Sequence, residues 1–65
     1  MVPLDEYAHA LAKTLKLWRD RRMPAVDVLT TLRDLGLTEV EAEAVIARGL
    51  EMGILTAEVG FIGSV

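Results

Sequence analysis

The apolar residues in the first third of the chain recur every three or four positions, which places them on one side of an α-helix. This stripe consists of Leu4, Ala8, Leu11, Leu15 and Trp18. Pro3 is tolerated at a helix start, and acids follow it in the first turn, where the helix dipole favours them. The pattern therefore predicts an amphipathic helix over residues 4–21 with the stripe in the core. The core is the expected place of Trp18, and an interface anchor is the alternative.

Met23-Pro24 interrupts the helical pattern, because the residue before a proline is pushed out of the helical conformation. Pro24 then begins a second predicted helix over residues 24–35. Its apolar stripe consists of Val28, Leu29, Leu32 and Leu35. Gly36 stands where a left-handed residue commonly ends a helix, and Leu37 is placed to contact Leu32, as in a Schellman ending.

A third helix is predicted over residues 39–52, because Thr38-Glu39-Val40-Glu41 has the T-x-x-E pattern of a capping box. Its inward side follows helical spacing through Ala42, Val45, Ile46, Gly49 and Leu50. A glycine inside a helix is unfavourable by about 1 kcal/mol relative to alanine. Gly49 therefore suggests a close approach to a neighbouring helix.

The last segment is short, β-prone and punctuated by glycine, which is typical of a hairpin. We predict strands near 54–58 and 61–64 with a tight turn at Val59-Gly60. An isolated hairpin is only marginally stable, so this one is expected to pack on the helices or to pair with another chain. The chain is thus predicted to be one domain, 1–65, mainly α with a small β-hairpin.

The run from Leu29 to Phe61 resembles the winged helix-turn-helix domain. It contains a helix, the turn Asp34-Leu35-Gly36-Leu37-Thr38, a second helix, and a hydrophobic–Gly–hydrophobic passage at Leu50–Leu55 that leads into a hairpin. With the first helix added, the resemblance covers nearly the whole chain. It implies a three-helix fold in which the third helix enters the DNA major groove and the hairpin, the wing, touches the backbone.

The outward face of the third helix departs from this expectation. It presents an apolar strip rimmed by acids: Glu39, Val40, Glu43, Ala44, Ala47 and Glu51. DNA affinity depends largely on cations meeting phosphates, and base readout favours Arg, Lys, Asn or Gln. We therefore predict a non-catalytic regulatory or adaptor module that uses this face to bind another protein with a basic surface, or a second copy of itself.

Charge is distributed unevenly along the chain, with a net +2 over residues 1–33 and −5 over residues 34–65. The basic cluster consists of Lys13, Lys16, Arg19, Arg21 and Arg22. It is either a solvated helix end or a patch for an anionic partner, which is a nucleic acid backbone or the acidic half of a second copy of this chain. The alternative function is therefore a DNA-binding regulator, or an excisionase-type protein, that uses the basic end of the first helix; a subunit of a larger complex is a third interpretation.

The sequence contains no set of residues that is typical of a catalytic site. There is no cysteine, and His9 is the only histidine. Glu39, Glu41 and Glu43 are two residues apart, so neighbours in this series point away from each other on a helix. Phosphate-binding motifs are absent, and no apolar run approaches the length of a membrane span. We expect no enzyme, cofactor, metal or small-molecule substrate, no membrane partner, and a cytoplasmic location.

Overall fold

The computed structural model describes residues 2–65. The helices are α1 (Leu4–Leu15), α2 (Ala25–Asp34) and α3 (Glu39–Glu51), and the strands are β1 (Arg22–Pro24), β2 (Leu55–Glu58) and β3 (Phe61–Ser64). The strands form one antiparallel sheet in the order β1-β3-β2. Three helices with a small sheet that ends in a hairpin make this a mainly α, winged-helix-like domain, as predicted. Within residues 2–65, no helix combines the length and apolar character needed to cross a membrane.

The first helix is shorter than predicted, ending at Leu15 rather than at residue 21. Trp18 has an extended ψ of 154°, and Asp20 and Arg21 have positive φ angles of 61° and 56°. A right-handed helix cannot continue through left-handed residues. Trp18 is consequently 44% exposed instead of buried in the core, so its predicted place in the stripe was wrong.

This early ending makes room for β1, a strand that the sequence did not predict. Met23 pairs with Ile62 of β3, and both side chains are buried. Three residues are too few to show the alternation that reveals a strand, so β1 is defined only by its partner. Pro24 is the last residue of this strand and occupies the N-cap position of α2, which begins one residue later than predicted.

The end of α2 has the predicted Schellman geometry. The Leu37 amide donates to the Leu32 carbonyl, the Gly36 amide donates to the Arg33 carbonyl, and Gly36 has a φ of 100°. Leu35 is nevertheless 62% exposed, which contradicts its predicted place in the core. Leu37, buried after the turn, enters the core instead.

The predicted capping box opens α3. The Glu41 amide donates to Thr38 Oγ1 at 3.1 Å, and the Thr38 amide donates to Glu41 Oε1 at 2.8 Å. Leu50 was wrongly predicted to face inward, since it is 39% exposed. Gly49 does mark a close approach, but its neighbour is Leu55 of β2 and not another helix, because the chain folds back onto α3 directly after Gly53.

The hairpin is formed by β2 and β3 around Val59-Gly60, as predicted, with β2 starting one residue late. Gly60 takes a positive φ of 76°, and its carbonyl accepts a hydrogen bond from the Ala25 amide, which fixes the wing to the start of α2. One core unites the three helices with the inner side of the sheet. Its buried members are Ala8, Leu11, Ala12, Leu15, Met23, Val28, Leu32, Leu37, Ala42, Val45, Leu55 and Ile62.

Candidate interaction surfaces

The outer face of α3 carries a continuous apolar strip, which we call the α3 strip: Val40, Ala44, Ala47 and Leu50. These residues lie three or four positions apart and therefore share one side of the helix. Val40 is 76% exposed, Ala47 is exposed and Ala44 is half-buried. Three of the four were predicted from the sequence. Leu50, which was predicted to lie in the core, extends the strip by one turn.

The acids predicted to rim this strip differ in whether they form ion pairs. Glu39 and Glu43 are exposed and make no ion pair within residues 2–65. Glu51 accepts a bond of 2.6 Å from Arg48. The open negative charge therefore lies toward the beginning of α3.

Arg48, the one basic residue of α3, is held by two carboxylates. Its Nε donates to Asp5 of α1 at 2.7 Å, and its Nη1 donates to Glu51. The hydrogen bond from Arg48 lowers the pKa of the Asp5 carboxyl, and the same bond raises the pKa of the Arg48 guanidinium. The third helix consequently offers no cation that is free for a phosphate.

The Asp5–Arg48 contact gives a pH-dependent prediction. A carboxyl whose pKa is depressed in the folded state stabilises that state above the unfolded pKa, and this contribution disappears as pH falls through the folded value. In urea unfolding we therefore expect Asp5→Asn to lower the midpoint at pH 7, and we expect the difference from the wild type to shrink as pH falls below the ordinary range of a carboxyl. Glu6→Gln is the control, because Glu6 makes no ion pair within residues 2–65. A gap between wild type and Asp5→Asn that is unchanged at low pH would contradict this account.

The wing also lacks a free cation. Glu58 accepts a bond of 2.9 Å from Arg22, whose guanidinium lies 5.0 Å from the centre of the Phe61 ring. The tip residue, Val59, is 99% exposed. Arg22, which was predicted to belong to the basic cluster, therefore contacts Glu58 and Phe61 on the outer face of the sheet.

The remaining predicted cations lie at the end of α1. Lys13 and Lys16 line one groove together with His9 and with Ser64 of β3, while Arg19 and Arg21 are exposed in the turn that follows. Within residues 2–65 these four basic residues make no ion pair. We call this set the α1 cations: Lys13, Lys16, Arg19 and Arg21.

A third surface was not predicted. Tyr7, Ala10 and Thr14 of α1 face Thr31 and Leu35 of α2 across a narrow cleft whose exposed lining is almost entirely apolar. The sequence did contain a signal for it, since Tyr7, Ala10 and Thr14 are uncharged and follow helical spacing outside the core stripe.

The chain was compared with known proteins in three ways. No protein-family model matches it, and neither a curated protein nor a solved structure gives a match. The interpretation of these surfaces therefore depends on their own chemistry.

Proposed function

We propose that this domain is a non-catalytic adaptor that recognises another protein through the outer face of α3. The observation that carries the proposal is the α3 strip itself: exposed Val40, Ala47 and Leu50 with half-buried Ala44 along three turns of the helix. Beside it lie two acids that make no ion pair within residues 2–65. Small side chains at Ala44 and Ala47 permit close approach of a partner helix, and the apolar area removed from water would drive association.

Charge on this face indicates the class of partner. Complementary charge steers encounters and rejects wrong partners more than it adds affinity. Glu39 and Glu43 would favour a surface that carries lysine or arginine beside an apolar patch. Two copies of α3 facing each other would instead bring acids together, so the proposed partner is a different protein with a basic surface.

The same charges argue against docking in the DNA major groove, which the resemblance to the winged helix-turn-helix domain implies. Cations that neutralise phosphates supply much of the affinity for DNA. On α3, Arg48 is engaged by Asp5 and Glu51, and the free charges are negative. A winged-helix-like domain with this face is better suited to a protein partner.

A second candidate function rests on the α1 cations. Four exposed bases without ion pairs within residues 2–65 form a patch for a polyanion, such as a nucleic acid backbone. Binding of this kind would be non-specific and strongly salt-dependent. Lys16→Glu combined with Arg19→Glu should abolish it.

An NMR titration distinguishes the two functions. The probes are a basic amphipathic helical peptide, the same peptide with glutamate replacing its basic residues, and a short DNA duplex at low salt. We expect the basic peptide to shift the amide signals of Val40, Ala44 and Ala47, and we expect the acidic peptide to leave them unchanged.

Ala47→Arg should weaken binding of the basic peptide at least tenfold, because arginine adds bulk and positive charge to the strip. Ala10→Arg is the matched control, since it makes the same change at an exposed alanine of α1. Failure of the basic peptide to bind at α3 would overturn the adaptor proposal. DNA binding that is insensitive to Ala47→Arg and lost in Lys16→Glu with Arg19→Glu would establish the second candidate instead.

A further inference from the structure

The side of α1 that borders the cleft with α2 exposes mainly apolar atoms, although threonine hydroxyl groups lie along the cleft. Thr14 Oγ1 donates to the Ala10 carbonyl at 2.9 Å, and Thr31 Oγ1 across the cleft donates to the Asp27 carbonyl at 2.8 Å. Both hydroxyls are therefore satisfied by their own helices. Leu35, 62% exposed, borders the same cleft.

The charges along this side of α1 change sign from one end to the other. Glu6 lies near the beginning and Lys13 lies seven residues later, so both occupy the same flank of the helix. Each is exposed, and neither makes an ion pair within residues 2–65. A helix that is acidic at its start and basic at its end is complementary to an antiparallel copy of itself.

We propose that two copies of this chain form a two-fold dimer through antiparallel α1 helices that cross at Ala10. A two-fold contact is isologous, so every pairing occurs twice. In this arrangement Glu6 of each copy lies beside Lys13 of the other. The small Ala10 side chain at the crossing allows the two helix axes to approach closely, within the range of packed helices.

Leu17 supplies the apolar anchor of this dimer. It is 88% exposed just beyond the end of α1, and an antiparallel partner centred on Ala10 places it opposite Pro3. Pro3, Glu6, Tyr7 and Ala10 line a shallow groove at that position. Each copy thus presents one projecting leucine and one groove that receives the leucine of the other copy.

This contact is independent of the adaptor function, because it uses the side of α1 and leaves the α3 strip free. Pairing through α3 would oppose acids with acids, whereas pairing through α1 opposes Glu6 with Lys13. A contact that places the acidic face of one copy on the α1 cations of the next, without the reverse contact, is heterologous. Unless it closed into a ring, it would extend into a filament.

Sedimentation equilibrium of the full chain, up to about 1 mM protein, tests the proposal. We expect a reversible monomer–dimer equilibrium with a weak dissociation constant, as is usual for a small interface. Ala10→Arg should raise that constant at least tenfold, whereas Ala47→Arg, its matched control on α3, should leave it unchanged. A chain that stays monomeric throughout, or a dimer lost in Ala47→Arg and kept in Ala10→Arg, would overturn the proposal.

Charge reversal tests the antiparallel register. Glu6→Lys alone and Lys13→Glu alone should each weaken the dimer, because each variant places like charges beside one another twice. An equimolar mixture of the two variants should form a heterodimer, since both contacts are then attractive, and the double variant should regain the wild-type constant. Circular dichroism verifies that each variant is folded. A mixture that associates no better than either variant alone would show that α1 does not pair in this register.

Discussion

Leu15→Ala should remove a large share of the stability of this domain. Leu15 is fully buried at the last turn of α1, where it belongs to the core shared by the helices and the sheet. Truncation of a buried leucine typically lowers the free energy of unfolding by about 2–5 kcal/mol, through lost transfer energy and the cavity left behind. A domain of this length has only about 3–10 kcal/mol in total. Urea unfolding followed by circular dichroism gives the measurement.

Leu17→Ala is the matched control, because it removes the same atoms two residues later, where the side chain is 88% exposed. At protein concentrations too low for the proposed dimer to form, its effect should stay within about 0.5 kcal/mol, as is usual for surface substitutions. Equal losses for the two variants would contradict the place of Leu15 in the core and the ending of α1 before Leu17.

The elements with strong local signals were predictable from the sequence. The capping box of Thr38, the left-handed Gly36 and the turn at Gly60 depend on chemistry within a few residues, and all three were confirmed. The prediction failed where distant parts of the chain decide the conformation. The helical spacing that continues through Trp18 is overridden because Met23 pairs with Ile62, 39 positions further along the chain.

The candidate surfaces follow the same rule. The strip on α3 was largely predictable, because helical spacing alone determines which residues face away from the core. Leu50 was missed because it follows the same helical spacing as the core residues, whereas in the structure its neighbour Gly49 packs against Leu55 of β2 and Leu50 remains exposed. The engagement of Arg48 by Asp5 and of Arg22 by Glu58 joins residues 43 and 36 positions apart. No local pattern encodes such pairs, and they determine which cations remain available.

Gly49→Ala should destabilise the domain although alanine is the better helix former. An alanine Cβ at this position would overlap Leu55 Cδ1 and lie 2.6 Å from Leu55 Cγ. Leu55 is buried at 3% exposure, so its side chain has little room to withdraw. Overpacking typically costs about 1–3 kcal/mol, against a gain in helix propensity of about 1 kcal/mol. We expect a net loss of up to about 2 kcal/mol in chemical denaturation.

A second substitution separates the two opposing effects and reverses the sign of the result. Leu55→Ala removes the Cγ and Cδ atoms that Gly49→Ala would strike, leaving only the Leu55 Cβ at 3.3 Å. Leu55→Ala alone should be destabilising, because it opens a cavity in the core. In that background, however, Gly49→Ala should become neutral or stabilising, since only the helix-propensity gain remains and part of the cavity is filled. A double-mutant cycle measures this coupling directly. If Gly49→Ala cost the same in both backgrounds, contact with β2 could not be the reason that α3 carries a glycine here.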